Sequence, residues 1–179
     1  DFTVLDVRVP NERDDAATTK VVVQFPAGFI FASYQPLQGW SVDVKMAKLA
    51  KPITSHGEEI TEQVSQMVWI ADSDKAGIQP GQFLDLPISV RIPGEAGDTL
   101  TFKALQTYDD GEVVRWIGAP DSEEPAPQVA VTEGSGEHGA SSDDSAEDSS
   151  DDSDSASKGL GIAALILGAL GLLVGGAAL

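Results

Sequence analysis

The sequence predicts an all-β fold, an antiparallel β-sandwich of immunoglobulin-like outline. Two observations carry the prediction. Apolar residues recur with a period of two through most of the first 126 residues, and no long stretch shows the 3.6-residue period of a helix. Turn-forming pairs then cut the chain into about seven or eight short runs, as a sandwich requires: Pro26-Ala27-Gly28, Gln38-Gly39, His56-Gly57, Pro80-Gly81, Pro93-Gly94 and Asp110-Gly111. Clean alternation within a run fits sheets with one face buried and one face wet.

The elements follow in order. Phe2–Val9 sets Thr3, Leu5, Val7 and Val9 on one face, so the chain is already in a strand at its second residue. That start predicts a sandwich whose first strand is missing from the sequence, with an open edge beside Phe2–Val9. Lys20–Phe25 is a β-branched run closed by Pro26. Trp40–Met46 alternates Trp40, Val42, Val44 and Met46 against Ser41, Asp43 and Lys45. Glu62–Ile70 groups Val64, Val68 and Ile70, and Gln82–Arg91 groups Leu84, Leu86, Ile88 and Val90. Thr99–Tyr108 and Val113–Ile117 form a hairpin around Asp110-Gly111, a pair suited to the positive φ angles of a tight turn.

Composition divides the 179 residues into three zones. Residues 1–126 are the sandwich. Residues 127–158 are rich in Ser, Asp and Glu and too poor in apolar residues to offset ordering entropy, which predicts a disordered linker. Residues 159–179 carry no charge. As a helix they would span about 31 Å at 1.5 Å per residue, the thickness of a bilayer core, which predicts a single transmembrane helix. A removed lipid-anchor signal is the alternative for this tail. The chain starts at Asp1 without Met or signal peptide, and so reads as a fragment or processed form.

The formal charge is −18, from 29 acidic and 11 basic side chains. Nine of the acidic residues and no basic one lie in 133–157. Such a balance excludes a nucleic-acid partner, which is bound by neutralising phosphates. The absence of Cys excludes disulfides, thiolate metal sites and cysteine nucleophiles. With two Met, a thioether site for Cu(I) is disfavoured.

No catalytic constellation is visible, and the chain reads as a non-enzyme. There are two His, and His138 sits in the acidic stretch, so a Ser-His-Asp arrangement is not available. His56, in Ser55-His56-Gly57-Glu58-Glu59, reads either as a metal ligand or as a solvated loop residue. The pairs Asp14-Asp15, Glu58-Glu59 and Asp109-Asp110 are sequence neighbours that do not converge on one substrate by themselves. Glu12, after Val9-Pro10-Asn11, reads as a loop carboxylate, and Trp40, Trp69 and Trp116 read as core by composition.

Six short pieces in a fixed order add a resemblance. They are Val9-Pro10-Asn11-Glu12, Gln38-Gly39-Trp40, Val68-Trp69-Ile70-Ala71, Ile78-Gln79-Pro80-Gly81-Gln82-Phe83, Gln106-Thr107-Tyr108 and Val114-Arg115-Trp116-Ile117. Together, over about Phe2 to Pro127, they resemble the YcnI-like bacterial copper-binding domain, and the linker and apolar tail resemble its anchored actinobacterial members. The resemblance implies an exported sandwich binding Cu(II) as chaperone or reservoir. It implies a membrane anchor in the C-terminal helix, a body on the extracytoplasmic side, and a copper transport or delivery protein as partner. In that family a histidine at the mature N-terminus binds the metal through its imidazole and amine, a carboxylate joins it, and a tryptophan lies beside the site. By position, Glu12 matches the carboxylate and Trp116 the tryptophan, as an indole next to the metal and not a ligand to it. Amine, imidazole and carboxylate suit tetragonal Cu(II). The histidine itself has no counterpart in this sequence. Two other readings stand beside this one: a cell-surface interaction module without metal, and a copper oxidoreductase.

Overall fold

Alternating apolar residues close two antiparallel sheets onto one core in the computed structural model, which describes residues 2–55, 57–133 and 164–166. The first sheet has the strand order β11-β1-β6-β3, with β1 at Phe2–Pro10, β3 at Ala32–Tyr34, β6 at Phe83–Arg91 and β11 at Ala164–Ile166. The second has the order β4-β5-β2-β8-β9, with β2 at Thr18–Gln24, β4 at Trp40–Ser55, β5 at Glu58–Ala71, β8 at Lys103–Tyr108 and β9 at Val113–Trp116. A small pair joins β7 (Thr99–Thr101) to β10 (Gln128–Ala130). One 3-10 turn, Asp74–Ala76, is the sole helical element among the described residues.

The inner faces are those the alternation selects. Leu5, Val7 and Val9 of β1 and Leu86, Ile88 and Val90 of β6 face Val21 and Val23 of β2 and Val64, Met67 and Trp69 of β5. Phe25, Phe29 and Phe102 close one end, with ring centroids 5.2 to 5.6 Å apart in tilted and edge-on contacts, a favoured geometry for aromatic rings. Trp69 is fully buried, and its Nε1 has no hydrogen-bond partner among the described residues.

Three features differ from the period-two reading, each for a local reason. Met46 keeps the inner face of β4, paired with Val64 where the ladder with β5 shifts register after Lys45 and lining one hollow with Val44, yet it is 47% exposed because none of the described residues covers that end of the edge strand. A bulge inserts one residue and reverses the facing of everything beyond it. The same shift splits Val64 from Val68 and Ile70: Val64 is in the core, while Val68 and Ile70 lie on the outer face with Met67 and Trp69 inward. The run Thr99–Tyr108 is not one strand. It changes partner at Phe102, with β7 pairing to β10 and β8 pairing to β2, and the Phe102 ring fills the corner.

Within 127–158, read as linker, Gln128–Ala130 is β10, and Val131 donates its N–H to the Asp98 carbonyl at 2.8 Å. The rest of that stretch beyond residue 133 lies outside the described residues. Within 159–179, read as a transmembrane helix, Ala164–Ile166 is extended as β11, pairing parallel to Asp6–Arg8 of β1. The open edge of β1 presents unpaired N–H and C=O groups that an apolar segment satisfies. The remainder of that tail lies outside the described residues, and among the described residues no helix is long and apolar enough to cross a membrane.

Candidate functional site

Pro10 ends β1, and the chain turns through Asn11–Ala17 into β2. Asn11 organises this turn. Its side-chain amide donates to the carbonyls of Ala16 and Ile78, both at 2.8 Å, and its Oδ1 accepts from the Arg13 N–H at 3.0 Å. Its backbone N–H donates to the Gln82 carbonyl, and its carbonyl accepts from Gly81. Asn11 is buried, and each of these polar groups is paired, the condition under which a buried amide is not costly. The hub fixes the path of the next residue, Glu12, which is exposed and makes no ion pair among the described residues.

The hairpin of β8 and β9 lies against this turn, joined to it by two links. The inner link is buried. Trp116 donates its indole N–H to Gln106 Oε1 at 3.2 Å, and Gln106 Nε2 donates to the Pro10 carbonyl at 3.0 Å and to Thr18 Oγ1 at 2.8 Å. One amide thus connects the indole to the last residue of β1, two positions before Glu12. The outer link is ionic. Arg13 contacts Asp15 at 2.8 Å on its own turn, and Asp110 at 2.9 Å and Glu112 at 2.7 Å on the hairpin. Its guanidinium also lies 5.1 Å from the centre of the Tyr108 ring.

These contacts set the electrostatics. The hydrogen bonds that Arg13 donates to the Asp15 carboxylate are the main cause holding its guanidinium above its usual range. The Glu112 backbone N–H, then Arg13, hold Asp110 below the usual carboxylate range. Burial raises the Tyr108 phenol, opposed by Thr18 and Arg13 and reinforced slightly by the charges of Glu112 and Glu12. Arg13 therefore engages Asp15, Asp110 and Glu112, and leaves Glu12, with Asp14 and Asp109, without an ion pair among the described residues.

Both sequence-derived residues, Glu12 and Trp116, thus belong to one corner. Trp116 is 8% exposed, and its N–H is committed inward to Gln106, so what the indole presents outward is ring, not a polar atom. His56 and His138 lie outside the described residues. Among the described residues no three of His, Cys, Asp and Glu stand together as a metal-binding group. One carboxylate and an indole suit the edge of a copper site but do not fill its coordination sphere. Trp40, Trp69 and Trp116 all belong to the hydrophobic core, as composition suggests, with Trp116 as buried as Trp40; the Trp40 N–H donates to the Ala76 carbonyl at 3.0 Å.

Sequence reasoning did not single out Asn11, Arg13 or Gln106. Gln106 carried a readable signal, since it is polar at an inward position between Ala104 and Tyr108. Asn11 and Arg13 carried none, because the partners that tie them to other elements, Ile78 and Glu112, lie about 70 and 100 positions away in sequence.

Comparison with known proteins places this geometry in context. A family model described as "Domain of unknown function (DUF1775)" matches residues 1–131. The chain is 30% identical over 177 residues to the copper-binding protein CutI of Bacillus subtilis strain 168, covering 97% of this chain and 76% of that protein. It is also similar, at 31% identity and a TM-score of 0.59, to an uncharacterised protein of Nocardia farcinica whose crystal structure has an immunoglobulin-like fold. That match covers 74% of this chain and 89% of the other.

Proposed function

This chain belongs to the YcnI-like family that the DUF1775 model describes, and from that membership we propose that it is an extracytoplasmic Cu(II)-binding protein. It holds copper as a chaperone or reservoir and catalyses no reaction. The observation that carries this reading is the similarity to a copper-binding protein along nearly the whole chain. The corner built by Asn11, Gln106 and Arg13 supports it, because it holds an uncommitted carboxylate and an indole on neighbouring elements.

In this reading Glu12 is an equatorial oxygen donor, and the Trp116 ring shields one side of the ion and limits water access. An imidazole and an amine complete a tetragonal set, supplied by an N-terminal histidine as the family resemblance implies. The 179 residues taken alone then bind copper weakly. The sandwich works outside the cytoplasmic membrane and hands copper to a transport or delivery protein. The test uses the protein as the cell processes it. With one equivalent of Cu(II), Glu12→Gln weakens binding by about tenfold or more and alters the electron paramagnetic resonance spectrum. An unchanged affinity and spectrum in Glu12→Gln removes Glu12 from the site.

A further inference from the structure

The outer face of the five-stranded sheet has a charge opposite to that of the rest of the molecule. Ladder register places three rows across it: Ser41–Ile70–Lys20–Thr107–Val113, then Asp43–Val68–Val22–Leu105–Arg115, then Lys45–Gln66–Gln24–Lys103. Four cations therefore share the face with one carboxylate, in a chain where acidic residues outnumber basic ones 29 to 11. Lys45 pairs with Asp43 at 3.2 Å. Lys20, Lys103 and Arg115 are exposed and make no ion pair among the described residues. Cations on edge strands commonly serve to block sheet-to-sheet pairing, which accounts for Lys45 on β4 and Arg115 on β9. It does not account for Lys20, which stands on the middle strand, β2. Between the cations lies an apolar centre of Val22, Val68, Leu105 and Ile70, with Ile70 43% exposed.

We infer that this face docks the acidic stretch 143–154 of the same chain. Seven of its twelve residues are Asp or Glu and none is basic, so its charge complements the face. The path is short. β10 runs antiparallel to β7, from Gln128 opposite Thr101 to Ala130 opposite Thr99, and Val131 is still bonded to Asp98, so the chain departs five residues before Lys103, ~16 Å along the strand direction from that end of the cationic face. From there the ten residues to position 143 reach as far as about 35 Å, while five strands at ~4.8 Å spacing make a face about 20 Å across. Tethering makes the encounter intramolecular, so a few exposed charge contacts suffice to populate it. Docking neutralises part of the like charge that the acidic stretch would otherwise hold near an acidic body.

Lysine acetylation of the full chain, read residue by residue by mass spectrometry at low salt, tests this. Lys48 and Lys51 on the β4–β5 hairpin and Lys75 in the 3-10 turn serve as exposed references. Lys20 and Lys103 are expected to react about threefold more slowly than the references, a size set by weak exposed ion pairs. The protection disappears when the seven acidic residues of 143–154 are changed to Asn or Gln. It also disappears near 1 M salt, where charges are screened beyond ~3 Å. Equal rates in the unaltered chain overturn the proposal, as does protection that survives the neutral variant. Protection that grows with protein concentration assigns the face to a second copy, and protection that needs added anionic vesicles assigns it to a lipid surface; either result also overturns it.

Discussion

Asn11 makes five hydrogen bonds from one buried position, and that concentration makes it the most sensitive residue of the corner. Asn11→Ala leaves the Ala16 and Ile78 carbonyls without their donor and is expected to cost about 2–3 kcal/mol, the range for stranded buried polar groups, in urea unfolding. The three tryptophans give an inverted order of sensitivity. Trp69 is the most buried, yet its N–H has no partner among the described residues, whereas Trp40 and Trp116 donate to Ala76 and Gln106. Trp69→Phe discards an unsatisfied donor, so it destabilises less than Trp40→Phe or Trp116→Phe, each of which strands an acceptor. The opposite order in thermal unfolding would show that packing volume outweighs these bonds. Asp85 adds a pH dependence. Its hydrogen bond from Arg8, at 2.8 Å, holds its carboxyl below the usual range. Its contribution is therefore present above the unfolded carboxylate value and is lost as pH falls through the lower folded one. Asp85→Asn should flatten the acid limb of the stability profile, slightly, since the pair is exposed. At this scale the sequence exposed Glu12 and Trp116 through a pattern of neighbours, and it exposed Gln106 only as a polar residue on an inward face.

Strand identity was legible wherever alternation ran unbroken. β1 and β6 follow it residue by residue, with Leu5, Val7, Val9, Leu86, Ile88 and Val90 all inward. β5 does not, because the extra residue at Ser65, where Lys45 pairs with Gln66 and Met46 with Val64, is invisible to a period count. β3 and β10 escaped notice because each is three residues long, too short to display a period. The β8–β9 hairpin, by contrast, announced itself through Asp110-Gly111. Gly111 adopts φ 87°, a region that side chains with a Cβ enter at a cost. Gly111→Val is expected to destabilise the fold by about 1–2 kcal/mol and to loosen Asp110 and Glu112 from Arg13. The loosening should appear as faster amide exchange at Glu112, whose N–H is held by Asp110 Oδ1 at 2.9 Å. Exchange unchanged in that variant would mean the turn tolerates the branched residue without rearranging the ionic link.

For the whole molecule, the two sheets act as a frame that carries the ends of β1 and β8–β9 to one corner. The sandwich class followed from period and turn spacing alone. The sheet order did not, since pairing of β2 with both β5 and β8 is a long-range choice that local pattern does not encode. The proposed chemistry of the corner was legible only as a family resemblance, for Glu12 and Trp116 are ordinary residues by composition, and what the fold adds is the Gln106 link from the indole to Pro10. The central claim is that copper sits next to Trp116. Trp fluorescence of the protein, as the cell processes it, tests this directly during titration with one equivalent of Cu(II), a short-range quencher. The account predicts that quenching persists when Trp40→Phe and Trp69→Phe leave Trp116 as the sole indole, and that it is largely lost in Trp116→Phe. Quenching that is undiminished in Trp116→Phe would place the copper elsewhere and contradict it.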